Sequence, residues 1–274
     1  VITWQSDAPP PAARRIGPAG WLRVAGRGVV IAVLLYGGLA VLFALRGGER
    51  LLCGQRRPLT PWMPRLVCRA VLAILGIRYR TRGAPMAQPG AVVANHSSWL
   101  DIFTLNACQG LFFVSKAEVA RWPGIGFLAR AAGTLFIQRD PKAAKAQQAA
   151  MEDRIRLGQR LLFFPEGTSS DGLRVLPFKS TLFQAFFAEG LRDLMWVQPV
   201  TVVYRAPPGE DPRFYGWWGS MEFGPHLLQL LAAPRGGAAE VIFHPPLRVA
   251  DFASRKELAA ACEALVRAGY AEAD

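Results

Sequence analysis

Apolar and polar positions follow two different rules along this chain. From Val29 to Leu45 the sequence reads VVIAVLLYGGLAVLFAL, 17 residues interrupted by no polar side chain except Tyr36. Such a run predicts a helix that meets lipid, because spanning helices need about 17–25 apolar residues. A buried core helix of this length would show polar positions on one face. A second helix is predicted from about Arg65 to Leu75, with Leu66, Val67, Ala70, Val71 and Ile74 on one face, Arg65 and Arg69 on the other, and Gly76 as its stop. The two form an expected membrane-associated helical hairpin.

Beyond residue 76 the pattern changes to short β-rich runs separated by helix-length stretches. The expected strands are Ile77–Gly83, Ala91–Asn95, Leu111–Val114, Gly133–Gln138, Leu161–Phe164, Trp196–Tyr204 and Glu240–His244. Helices are expected over Ser98–Ala107, Ala117–Ala132, Lys142–Arg156 and Lys179–Glu189, with a C-terminal amphipathic helix capped by Ser254. This alternation predicts an α/β fold with a mixed, mostly parallel sheet flanked by helices. The expected organisation is a disordered segment over residues 1–20, the hairpin over 21–76 and an α/β domain over 77–274.

Charge sharpens that division. Residues 1–82 hold 13 Arg and only two acids, Asp7 and Glu49, while the remaining 192 residues carry 19 bases and 18 acids. A nucleic-acid binder would spread its bases over a folded face. Here they bracket apolar helices, so the basic end suits an anionic lipid surface and no nucleic acid is expected as a partner. Arg14, Arg15, Arg23 and Arg27 precede the apolar run, and Arg46, Arg50, Arg56 and Arg57 follow it. A signal peptide is disfavoured, since no small-x-small cleavage site lies at a suitable distance. The four cysteines, Cys53, Cys68, Cys108 and Cys262, are widely spaced among apolar residues, so buried free thiols are expected, with no disulfide framework or metal site.

The candidate chemistry lies at predicted strand ends, where open α/β sheets place their sites. NHSSWLD, residues 95–101, follows the strand Ala91–Asn95. Its plain structural reading is a capping-box-like helix start, Ser98 with Asp101. That reading leaves His96 unexplained. An imidazole whose tautomer is fixed by a carboxylate can take a proton from a hydroxyl. No G-x-S-x-G elbow is present, so the hydroxyl belongs to a substrate rather than to a serine of the protein. Further strand ends carry Lys116, Arg139 and the turn Pro165-Glu166-Gly167-Thr168, each with an ordinary reading as a solvated charge or a βα loop. His226 and His244 read as structural, and the aromatic cluster Phe214, Tyr215, Trp217, Trp218 reads equally as core or as an interfacial or acyl-chain wall.

NHSSWLD, FIQRD (136–140), FPEGTSSDG (164–172) and VQPV (197–200) resemble, in this order, the four blocks of the glycerolipid acyltransferases, lysophospholipid acyltransferases of the 1-acylglycerol-3-phosphate acyltransferase type. The resemblance covers about residues 60–205. It implies acyl transfer from an acyl carrier protein or coenzyme A thioester to a lysolipid hydroxyl, at the cytoplasmic face of the inner membrane. It implies His96 as general base and Asp101 as its orienting partner. Lys116, Arg139, Glu166, Gly167, Thr168 and Ser169 are then acceptor-binding, and Val197 to Val200 shape a pocket. No metal and no cofactor beyond the thioester are implied. The default acceptor is 1-acylglycerol-3-phosphate, giving phosphatidic acid. Many members with phosphate-bearing acceptors have Arg where this chain has Ser169. The block Phe214–Pro234 resembles a bacterial subgroup that acylates lyso-ornithine lipid, which is the alternative acceptor. The competing non-enzyme reading is a basic membrane-anchored binding protein.

Overall fold

Short apolar runs, buried on both faces in β2, β5 and β6, close into one sheet covered by helices. A computed structural model describes residues 3–54, 59–60, 62–122, 125–138 and 144–273. The strands are β1 (Arg78–Arg82), β2 (Gly90–Ala94), β3 (Phe112–Lys116), β4 (Leu135–Ile137), β5 (Leu161–Phe163), β6 (Trp196–Arg205), β7 (Ala238–Phe243) and β8 (Leu247–Arg248). Their order is β1-β7-β6-β2-β5-β3-β4, with β8 paired to β6. All pairings are parallel except those of β6 with β7 and with β8. The expected mixed, mostly parallel sheet is therefore present.

The helices are α1 (Pro18–Cys53), α2 (Trp62–Ile74), α3 (Asp101–Asn106), α4 (Ile125–Ala131), α5 (Ala144–Arg156), α6 (Phe223–Ala232) and α7 (Arg255–Ala273). Alternation along β2 sorts the core. Val92 and Ala94 join Leu72, Leu100, Val202 and Leu230 on the face covered by α2, α3 and α6. Ala91 and Val93 join Phe163, Phe183, Leu258 and Val266 on the face covered by α7. The VQPV block lies inside this sheet: Val197 packs on the α7 side and Val200 on the other, and neither is exposed.

Several boundaries differ from the sequence expectation, each for a physical reason. The helix expected over Ala117–Ala132 is a 3-10 turn, Ala117–Arg121, followed by α4. The intervening sequence contains Pro123 and Gly124, both poor at continuing a helix. The helix expected over Lys179–Glu189 is 3-10, Ser180–Phe187. Its fully buried Phe183 and Phe186 are three residues apart, and three residues per turn stacks them on one face. Cys53 is exposed, on the open face of the last turn of α1, while the other three cysteines are buried and free. Gly76 does stop α2: at φ 71° it closes a Schellman turn, with Gly76 N–H on Ala73 O at 2.9 Å and Ile77 N–H on Leu72 O at 2.9 Å. Ser254 caps α7, its Oγ accepting from Glu257 N–H at 3.3 Å, while the Glu257 carboxylate accepts from Ala253 N–H at 3.1 Å.

The N-terminal helix is longer than its apolar run. It starts at Pro18, inside the segment expected to be disordered, and at about 1.5 Å per residue its 36 residues reach about 54 Å. Only 6% of its most apolar window is buried, so length, composition and exposure make α1 a membrane-associating element. It packs against α2, where a Cβ at Gly38 would lie 2.9 Å from Val67 Cγ2. Three of its flanking arginines serve the fold. Arg23 donates to Ala232 O at 2.8 Å, and Arg27 to Leu231 O and Ala233 O at 3.0 and 2.7 Å, all at the carboxyl end of α6. Arg46 donates to Ala131 O at 2.8 Å, the end of α4. Cations there satisfy terminal carbonyls and complement the helix dipole. Arg56 and Arg57 lie outside the described residues.

Candidate active site

β2 ends at Ala94, paired with Val200, while its neighbour β6 runs on to Arg205. Asn95 fills the gap. Its side-chain amide donates to Val202 O and accepts from Val202 N–H, both at 2.8 Å, as another strand residue would. This fixes where His96 leaves the sheet. His96 O then accepts from Ser170 N–H at 2.9 Å, and Ser97 O from Trp217 N–H at 2.8 Å. The turn is thus tied to the sheet, to the loop after β5 and to the segment before α6.

Asp101 opens α3, and the capping-box-like start is present one turn earlier, with Ser98 Oγ accepting from Leu100 N–H at 3.2 Å and the Asp101 carboxylate from Ser98 N–H. Leu100 occupies the cap position with no side-chain cap bond, and Asp101 is turned back toward the turn that precedes it. Its Oδ2 accepts from Ser97 N–H at 2.8 Å and Ser98 N–H at 3.0 Å, and sits 2.7 Å from His96 Nδ1. Its Oδ1 accepts from Tyr204 O–H at 2.7 Å. The Asp101 side chain is fully buried, whereas that of His96 is 21% exposed. Because a carboxylate only accepts, Nδ1 carries the proton and Nε2 presents a lone pair. The imidazole stacks on Phe164 with centroids 3.9 Å apart and planes at 12°. The ring is thereby held in tilt by Phe164 and in spin by Asp101.

The loop after β5 is the second half of the site. Gly167 N–H bonds Phe164 O at 3.0 Å, and the φ of Gly167, +69°, is one that side chains disfavour. A Cβ there would also lie 2.9 Å from Lys179 Nζ. Lys116, the last residue of β3, donates to Gly167 O at 3.2 Å. Two ammonium groups therefore flank one glycine. Glu166 points inward: it is 1% exposed, its Oε1 accepts from Leu176 N–H at 3.2 Å, and Oε2 has no hydrogen-bond partner among the described residues. Burial pushes its carboxyl well above the usual carboxylate range, against the pull of the backbone amides of Leu176 and His96.

Thr168 and Ser169 follow, with Ser169 buried. Thr168 Oγ1 accepts from Trp4 N–H at 3.3 Å. The Trp4 ring lies 5.5 Å from the guanidinium of Arg174 and 6.5 Å from Trp218, and Arg174 pairs with the buried Asp171 at 2.9 Å. Further along, Pro9 O accepts from Arg213 at 3.0 Å and Arg14 pairs with Glu210 at 2.8 Å. Residues 3–14 thus run as a strap across the loop after β5 and the segment before α6.

The structure brings His96, Asp101, Lys116, Glu166, Gly167, Thr168 and Ser169 to one edge of the sheet. Arg139 lies outside the described residues. Sequence reasoning missed Asn95, Tyr204 and the strap. Tyr204 had a signal: it shares period two with Val200 and Val202, which places it on the face of α3. His226 is buried, accepts from Trp99 Nε1–H at 2.9 Å, and is pushed down by burial to about 4, which suits a structural histidine. Tyr215 and Trp218 are core, while Trp217 meets Trp122 edge-on at 6.2 Å.

A family model for acyltransferases matches residues 77–203, which contain His96, Asp101, Lys116, Glu166, Gly167, Thr168 and Ser169 and stop one residue short of Tyr204. A lyso-ornithine lipid O-acyltransferase of Rhodobacter capsulatus is 62% identical over 98% of this chain and 97% of its own length. The chain belongs to the acyltransferase family. Other relatives of this acyltransferase are a lyso-ornithine lipid O-acyltransferase of Pseudomonas aeruginosa, 35% identical over 84% of the chain and 86% of the relative, and a 1-acyl-sn-glycerol-3-phosphate acyltransferase of Neisseria meningitidis, 40% identical over 46% of the chain and 51% of the relative. The fold matches the crystal structure of the 1-acyl-sn-glycerophosphate acyltransferase of Thermotoga maritima with a TM-score of 0.66, at 21% identity, covering 92% of this chain and 95% of that one. As an acyltransferase the protein acts on an acyl acceptor and an acyl donor, and the non-enzyme reading falls away.

Proposed function

We propose that this acyltransferase moves a fatty acyl group from an acyl carrier protein or coenzyme A thioester to the hydroxyl of lyso-ornithine lipid. The observation that carries the acceptor is the 62% identity, over nearly the whole of both chains, to the Rhodobacter capsulatus enzyme of that name. Ser169 supports it. An N-acylated ornithine keeps a carboxylate and an ammonium but no phosphate, so the guanidinium that suits bidentate phosphate binding is not needed there. Lys116 and Lys179, on either side of Gly167, suit the headgroup carboxylate.

His96 Nε2 accepts the proton of the lipid hydroxyl as its oxygen attacks the thioester carbonyl. The tetrahedral intermediate expels the thiolate, and the imidazolium returns the proton to that sulfur. Asp101 stabilises the imidazolium through Nδ1. A thioester is already activated, so neither an acyl-enzyme nor a cofactor is required. Residues 21–76 form the membrane-associated part and residues 77–274 the acyltransferase domain. The site then works at the lipid surface of the inner membrane, on the cytoplasmic side where thioesters are made.

A second reading, acylation of 1-acylglycerol-3-phosphate, draws on the Neisseria relative and on the same two lysines, which also suit a phosphate. Purified protein in mixed micelles with a labelled thioester separates the two. Transfer to lyso-ornithine lipid well above that to lysophosphatidate is the expected result. Transfer to lysophosphatidate alone would overturn the acceptor assignment and leave the family intact.

A further inference from the structure

We propose that Tyr204 is a positioning residue of this active site: its hydroxyl holds the second carboxylate oxygen of Asp101, setting both the orientation of that carboxylate and the share of its charge that reaches His96. The proposal rests on the reading of His96 as general base.

Three donors converge on Asp101 Oδ2, namely His96 Nδ1–H and the amides of Ser97 and Ser98. Oδ1 has one among the described residues, Tyr204 O–H at 2.7 Å. All three Oδ2 donors come from the turn next to Asp101 in sequence. Tyr204 comes from β6, 103 residues away, so it alone ties the carboxylate to the sheet. A carboxylate gripped on one oxygen can still swivel about its last torsion. Gripping both oxygens removes that freedom.

The donor direction extends one step further. Tyr204 O–H is spent on Asp101, which cannot donate. In the 2.9 Å contact between Tyr204 Oη and Thr104 Oγ1, the threonine must therefore donate. Thr104 lies on α3, the helix that Asp101 opens. Thr104, Tyr204, Asp101 and His96 form one chain of hydrogen bonds, each link polarising the next. Tyr204 is buried among protein groups, and burial, with Asp101 next to it, pushes its phenol well above the ordinary value. It therefore stays a donor over the whole working pH range. The titratable groups facing this chain are His96 and Asp101 themselves, Glu166 from the loop after β5, Tyr79 from β1 and Tyr215 from the segment before α6.

A donor on Oδ1 draws negative charge away from the imidazolium that forms on His96. Tyr204→Phe removes that draw while keeping the ring that packs on Tyr215 at 5.5 Å. The acidic limb of the kcat/KM pH profile should move to higher pH by roughly half to one unit. The plateau should fall by about three- to tenfold through the loosened carboxylate. The acceptor KM should stay within about twofold, because the Tyr204 hydroxyl bonds Asp101 and Thr104 rather than the loop after β5. Thr104→Val leaves the Tyr204 hydroxyl in place but undonated, and should shift the limb in the same direction by less. Circular dichroism confirms folding of each variant, and His96→Ala is run beside them. A Tyr204→Phe profile superimposable on the parent's, with His96→Ala inactive, overturns the role of Tyr204 alone. If His96→Ala keeps full activity, the general-base reading falls and the proposal with it. Should Tyr204→Phe not fold, Thr104→Val decides by the same profile, and no shift there counts against the proposal.

Discussion

Two buried acids stand beside His96, one at the end of β2 and one at the end of β5, and they are treated in opposite ways. Asp101 receives three hydrogen bonds besides that of His96, from two backbone amides and a tyrosine. Glu166 has one hydrogen bond, from Leu176 N–H at 3.2 Å, a further pull from the His96 amide, and one oxygen without a hydrogen-bond partner among the described residues. An acceptor-only group inside a protein needs donors to remain a carboxylate. Asp101 has them and can stabilise an imidazolium. Glu166 has fewer, and burial drives it toward the neutral acid. Two carboxyls in one motif-rich edge thus do different jobs. On the proposed mechanism Asp101 serves the chemistry, while Glu166 ties its loop to the Leu176 amide.

The largest effect that separates them is His96→Ala, which should lower kcat by about 10²–10⁴ with the fold intact, since general-base catalysis contributes that much. Steady-state acyl transfer with circular dichroism as control measures it. A loss under tenfold would put the proton on another group.

Glu166→Gln should cost far less activity and should change stability instead. Its folded value is raised, so the folded chain holds a proton that the unfolded chain has released. Stability is therefore full below about pH 4.3, the ordinary carboxyl value, and is lost as pH rises toward the raised folded value. The parent's thermal midpoint should fall more steeply from pH 5 to 8 than that of Glu166→Gln, which has no such proton to lose. Equal slopes would mean that Glu166 is charged in the folded protein.

The smallest effect belongs to the strap. Trp4→Ala removes the ring beside Arg174 and loosens the segment over Thr168. A cation–π contact at a partly open site corresponds to about two- to fivefold, and the loss should fall in the acceptor KM rather than in kcat. A change confined to kcat would tie the strap to His96 instead.

What could be read in the sequence was what local spacing encodes. Short β-rich runs between helix-length stretches gave the strands, and the His96–Asp101 spacing and the Pro-Glu-Gly turn marked the strand ends. Gly76 and Ser254 marked helix limits because caps are local. The rest depended on which strands become neighbours. Asn95 matters because β6 outruns β2, and Tyr204 because β6 lies across from α3. Neither adjacency is written near those residues. The same holds for Arg23, Arg27 and Arg46. Composition read them as lipid-facing charges, yet their partners are carbonyls of α6 and α4, 85 to 209 residues away. The two 3-10 stretches were missed because i, i+3 apolar spacing fits either helix type.

On the proposed mechanism Asp101 acts only through His96. A double-mutant cycle with His96→Ala, Asp101→Ala and the combined variant, read as kcat/KM for acyl transfer, tests it most directly. The predicted result is that Asp101→Ala costs the parent about 10²-fold or more but costs His96→Ala almost nothing further. Losses that simply multiply would contradict the claim and give Asp101 a function independent of the imidazole.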